Sequence, residues 1–101
     1  MKKKILALVL VLVMLTATLS GCGGATKIRM ATGGTTGTYY AYGGIIAQIL
    51  GTKLSNVSFD VQSTGASKAN IYLVSDGEVE MAMVQNDVMD YAYNGTDLFD
   101  G

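Results

Sequence analysis

The side chains suited to holding a small polar ligand fall in three short stretches. The first is Thr32-Gly33-Gly34-Thr35-Thr36-Gly37-Thr38-Tyr39-Tyr40. Its glycines permit positive φ and close backbone approach to a ligand, and its threonine hydroxyls donate or accept hydrogen bonds. A helix starting behind it would add unpaired N–H groups. Together these make a small polar cup for an anionic or zwitterionic group. Ser63-Thr64-Gly65-Ala66-Ser67 and Gln85-Asn86-Asp87 are two further polar loops. Asp87 has two readings, a ligand-edge carboxylate or a helix cap.

The elements between these loops alternate in type. Lys27 to Thr32 alternates charged and apolar residues and reads as a strand. Thr38 is the expected N-cap of a helix from about Tyr39 to Lys53, with Tyr42, Ile45, Ile46, Ile49 and Leu50 as its buried face. Gly43-Gly44 inside that helix costs about 1 kcal/mol per glycine. Close approach of the helix to a sheet or to a partner domain would offset this. After a turn at Ser55-Asn56, Val57 to Gln62 alternates as a second strand. Ser67 is the expected cap of a helix to about Ser75, stopped by Gly77. Glu80 to Val84 reads as a strand covered on both faces. Asn86 or Asp87 would cap a third helix, ended by Asn94-Gly95. Three βα units predict an α/β fold with a parallel sheet. All three polar loops then lie at the carboxyl ends of the strands, where open α/β sheets bind ligands.

Composition excludes several classes. The first loop is neither GxGxxG nor GxxxxGK[ST], so a nucleotide site lacks its residues. The chain has no His and a single Cys, Cys22, which removes the usual transition-metal sets and any nucleophile–base pair. No metal, no cofactor and no enzymatic activity are expected. Arg29, inside the first strand, reads as a surface residue, as do Asp60, Asp76, Glu78 and Glu80.

The first fifth of the chain reads as a targeting segment. Lys2-Lys3-Lys4 precede an apolar run from Ile5 to Leu15, short of the roughly 20 residues of a membrane span but of secretory length. Leu19-Ser20-Gly21-Cys22 resembles a bacterial lipobox, which implies cleavage before Cys22 and lipidation of its thiol. Residues 1–21 are then a lipoprotein signal peptide, 22–26 a tether and 27–101 the folded part. Removing Lys2, Lys3 and Lys4 leaves 4 basic against 8 acidic residues, a net charge of −4 with no basic cluster. Nucleic acid is therefore not an expected partner. Leu98-Phe99-Asp100-Gly101 offers no terminal element, so a longer parent chain is expected.

The three loops resemble, in order and spacing, those of the TAXI branch of solute receptors of tripartite ATP-independent periplasmic (TRAP) transporters. The resemblance is carried by Thr32 to Gly44, by Ser63-Thr64-Gly65-Ala66-Ser67-Lys68-Ala69-Asn70, and by Met83 to Val88 with Tyr91 to Gly95. Thr36 and Ala66 stand where glycine is common in that family, and Ala41 where proline is. The resemblance implies a type II periplasmic-binding-protein-like fold, of which this chain is a partial first lobe. It implies a lipid-anchored extracytoplasmic receptor for a small organic acid or amino acid such as glutamate, which it delivers to a TRAP permease in the membrane. The ligand-binding residues it implies are Gly37, Thr38, Tyr39 and Tyr40 in loop one, Thr64, Gly65, Ala66 and Ser67 in loop two, and Gln85, Asn86 and Asp87 in loop three. A lipoprotein sensor for a signalling system is the alternative use of the same lobe.

Overall fold

The computed structural model describes residues 1–17 and 24–101. Cys22, the expected lipidation site, lies outside the described residues. The apolar N-terminal run forms helix α1 (Lys2–Ala17), exposed over residues 2–11. Among the described residues no helix is long and apolar enough to cross a membrane.

Strand β1 (Thr26–Ala31) is the centre of the fold, and its burial rises along its length until Met30 and Ala31 are fully enclosed. Strand β2 (Val57–Gln62) pairs with it in parallel from Thr26↔Val57 to Ala31↔Gln62. Strand β3 (Met81–Ala82) pairs in parallel on the other side, through Met30↔Met81 and Ala31↔Ala82. The order is β2-β1-β3. It is a parallel α/β fragment with alternating βα units, as in part of a periplasmic-binding-protein-like fold.

Helix α2 (Thr38–Lys53) links β1 to β2, and helix α3 (Ser67–Ser75) links β2 to β3. Helix α4 (Asn86–Asn94) follows β3, and a short 3₁₀ turn, Asp97–Phe99, packs against it. The two crossovers run in opposite directions across the sheet. With the usual right-handed connection they place α2 and α3 on opposite faces.

Helix α2 lies on the sheet through Gly43. A Cβ there would fall 2.6 Å from Thr32 Cγ2, 3.2 Å from Met30 Sδ and 3.3 Å from Val61 Cγ1. The close approach expected of the glycine pair is therefore made by Gly43 alone, since Gly44 faces open space. This contact also turns the helix. Its inner stripe is Gly43, Ile46, Ala47 and Leu50, while Tyr42, Ile45 and Ile49, expected inside, are 60%, 53% and 49% exposed. Both stripes have i, i+3, i+4, i+7 spacing, and the absence of a Cβ at Gly43 decides between them.

Strand β3 is shorter than the expected Glu80 to Val84; beyond Ala82 its pairing partner β1 has ended, at Ala31. Single bonds from Glu80 N to Arg29 O (3.1 Å) and Met83 N to Ala31 O (3.0 Å) continue the contact on either side. Helix α3 stops at Gly77 (φ +72°) and α4 at Gly95 (φ +64°), as expected of glycine in the left-handed region.

Candidate functional site

The three polar loops meet at the carboxyl edge of the sheet, and hydrogen bonds between them fix their spacing. Thr64 N donates to Gly33 O at 3.1 Å, joining loop two to loop one. Ser67 Oγ accepts from Gln85 N at 3.0 Å and lies 3.4 Å from Gln85 Oε1, joining loop two to loop three. Thr32 Oγ1 donates to Gln62 O at 2.6 Å and so closes the end of the β1–β2 ladder.

One side chain touches all three loops. Asn70 is completely buried on α3. Its Nδ2 donates to Thr32 O at 2.6 Å and to Met83 O at 2.8 Å, and its Oδ1 accepts from Thr64 Oγ1 at 2.5 Å. Carbonyls only accept, so two of them facing one end of the amide assign that end as the NH₂. Thr64 Oγ1 also accepts from Ala66 N at 3.1 Å. Among the described residues no buried side-chain N or O atom lacks a partner.

The helix starts differ by one residue from expectation. The N-caps are Gly37, Ala66 and Gln85, not Thr38, Ser67 and Asn86 or Asp87, and none makes a side-chain capping bond. The expected caps have other uses. Ser67 bonds across to Gln85, and Asp87 Oδ1 accepts from the neighbouring Val88 N at 2.9 Å. The first helical N–H groups of α2 and α3 thus keep the positive end of their dipoles free of side-chain caps at this edge, whereas in the first turn of α4 the Asp87 carboxylate takes Val88 N.

A hollow of about 460 Å³ opens between α2 and β3, lined by Thr38, Tyr39, Tyr42, Ile46, Ala82, Met83 and Val84. Strand order reverses here, β1 being followed in sequence by its neighbour on one side and later by that on the other, and such a switch point is where ligand crevices form. A second hollow of similar volume lies between α3, β3 and α4. Its lining is chiefly apolar, including Ile71, Val74, Met81 and Met89, and it offers no helix start to a polar group.

Of the residues singled out in the sequence, Gly37, Thr38, Gly65, Gln85, Asn86 and Asp87 are exposed. Tyr39, Tyr40, Thr64 and Ala66 are half-buried, and Ser67 is buried. Tyr39 and Ala66 come together across Gly33, where a Cβ would lie 3.5 and 3.9 Å from theirs. The glycines of loop one do not use the left-handed region, since Gly37 has φ −92° and neither Gly33 nor Gly34 has positive φ. Gly37 is instead confined by contact, its Cβ position lying 3.1 Å from Gly34 O, which accepts Gly37 N at 2.8 Å. Positive φ falls on Ala66, at φ 68° and ψ −149°, a region nearly reserved for glycine.

Among the described residues, Lys68 is the one cation carried by the first turns of α2, α3 and α4. Arg29 is engaged with Glu80: Arg29 N donates to Oε2 at 2.7 Å, Nε to Oε2 at 3.1 Å, and Nη2 to Oε1. The guanidinium hydrogen bonds and the Arg29 N–H hold the Glu80 carboxyl down, from an ordinary 4.5 to about 2. Lys27 lies 3.7 Å from Asp60, and Lys68 sits 5.7 Å above the Phe99 ring.

Two roles lay outside the sequence reading. Asn70 closes the second stretch of the resemblance, Ser63 to Asn70, but was assigned no role there. The Arg29–Glu80 pair, 51 residues apart in sequence, left no local signal.

The NMT1-like family matches residues 30–101, a span that takes in the last two residues of β1, all of β2 and β3, the three loops and the helices behind them. That family is one of extracytoplasmic binding proteins for small solutes. A parallel sheet with its polar loops gathered on the carboxyl edge is a scaffold suited to that use. The chain belongs to the NMT1-like family of periplasmic solute-binding proteins.

Proposed function

We propose that the chain is the first-lobe portion of a TAXI-type solute receptor, which captures a small carboxylate or amino acid and delivers it to a TRAP-type permease. The observation that carries this reading is the gathering of three helix starts on one edge, with those of α2 and α3 free of side-chain caps. A carboxylate placed there is held by N–H groups and dipole ends rather than by a cation. Thr38 and Tyr39 line the hollow beside this edge. Asp87, in the first turn of α4, supplies a carboxylate for a solute ammonium. The contacts of Gly37, Tyr40, Thr64, Gly65, Ala66, Gln85 and Asn86 are assigned through the backbone or through shape. Ser67 acts indirectly, because its hydroxyl already supports Gln85 N. The receptor is held outside the cytoplasmic membrane by lipid on Cys22.

Calorimetric titration with L-glutamate, other amino acids and small dicarboxylates tests the reading. Saturable uptake by the wild-type chain is expected, with loss in Gly37→Val, whose side chain must displace the turn at Gly34. Saturable binding of equal strength in both proteins would move the site away from loop one.

A further inference from the structure

We infer that Asn70 is a positioning residue that makes the three loops one mechanical unit, so that the solute meets a preset spacing of helix starts. The inference rests on the solute-binding reading above for its functional consequence, but its structural content stands on the amide itself. Asn70 is 0% exposed, on α3, and reaches no solvent. Its NH₂ spans Thr32 O at the end of β1 and Met83 O beyond β3, while its oxygen takes the Thr64 hydroxyl of loop two. β1 and β3 share a ladder of only two residue pairs, Met30↔Met81 and Ala31↔Ala82. Just past that short ladder, where loops one and three diverge, the bridge between them is a side chain.

The same amide acts at one remove on loop two. Thr64 has one hydroxyl proton and two acceptors in reach, Asn70 Oδ1 at 2.5 Å and Thr32 O at 3.2 Å. The shorter contact takes the proton and turns the oxygen lone pairs toward Ala66 N. Asn70 thereby helps hold Ala66 at φ 68°, a conformation alanine avoids. No apolar side chain of similar volume could replace these bonds: the Thr64 hydroxyl would turn to Thr32 O, and Met83 O would lose its side-chain donor.

Hydrogen exchange by NMR on the full chain tests the unit directly. In the wild type, Thr64 N–H, which joins loops one and two, and Gln85 N–H, which joins loops two and three, should show protection within about threefold of each other, as one cooperative opening predicts. Unrelated protection of the two amides would overturn the inference without any variant. In Asn70→Asp, which keeps the shape but loses both N–H donors, both amides should lose at least tenfold protection at pH 7 while the β1–β2 ladder keeps its own. Loosening confined to α3 would overturn it as well. For the functional part, L-glutamate is the probe: its affinity should fall at least tenfold in Asn70→Asp at pH 7. Part of the loss should return at pH 5, where a desolvated carboxyl regains a proton and one donor. Unchanged affinity at pH 7 would remove the consequence for binding. Absence of L-glutamate binding in the wild type would count against the solute reading for this probe, and the exchange pattern would still decide the coupling.

Discussion

At the scale of single residues, Ala66 and Gly43 are the positions where backbone and side chain conflict most directly. Ala66 holds φ 68° and ψ −149°. Such strain costs about 1–3 kcal/mol, whereas glycine adds about 0.4–1 kcal/mol of unfolded-state entropy. Ala66→Gly should therefore stabilise the fold by about 1 kcal/mol, measured as a rise in denaturant midpoint at constant slope. An unchanged or lower midpoint would show that the surrounding bonds, Ala66 N to Thr64 Oγ1 and Asn70 N to Ala66 O, already remove the strain. Gly43 is the opposite case, a glycine that must stay. Its missing Cβ would sit 2.6 Å from Thr32 Cγ2. Helix propensity favours Gly43→Ala by about 1 kcal/mol, but overpacking against the sheet costs about 1–3 kcal/mol, so net destabilisation is expected by equilibrium unfolding. Gly44→Ala, facing open space, should do the reverse and serves as the control.

At the scale of elements, the order of strands and helices was legible because each change of period is bounded by Gly, Ser, Thr or Asn. Helix stops were legible too, since Gly77 and Gly95 do what only glycine does cheaply. The helix starts were misplaced because Thr38, Ser67 and Asp87 have capping chemistry in any sequence, and only the folded loops reveal Gln85 N or Val88 N as their partners. The inner face of α2 was misread by one position for the same reason: two apolar stripes share one period, and contact with Thr32 chooses. Arg29 and Glu80, read as surface residues, form the side-chain tie between β1 and the start of β3. Because the Glu80 carboxyl titrates at about 2 in the fold against 4.5 ordinarily, its contribution is present above about pH 4.5 and is lost as pH falls toward 2. Glu80→Gln should flatten that part of the stability–pH curve and lower the neutral plateau, by an amount that solvent screening of this exposed pair keeps small. An identical acid limb in wild type and variant would assign the acid sensitivity to other carboxylates.

At the scale of the whole molecule, the proposed lipid anchor is checked by intact mass. In a bacterial host the processed chain should begin at Cys22 with its acyl groups attached, and an unmodified N-terminus downstream of Cys22 would overturn the anchor. The central place of β1 has a consequence of another kind, for the order of assembly. β1 is the first strand made, yet both its edges wait for partners later in the chain, about 30 residues on for β2 and 51 for β3. Closing the longer loop costs only about 0.5 kcal/mol more than closing the shorter, since the entropy grows with the logarithm of length. Loop closure therefore barely ranks the two events, and ladder length ranks them: six residue pairs with β2 against two with β3. The β1–β2 pair under α2 should form the folding nucleus, with high φ-values at Val61 and Met30, and low ones at Met81 and Val88. The loop edge would then be completed last, when β3 docks and the Asn70 amide closes over Met83.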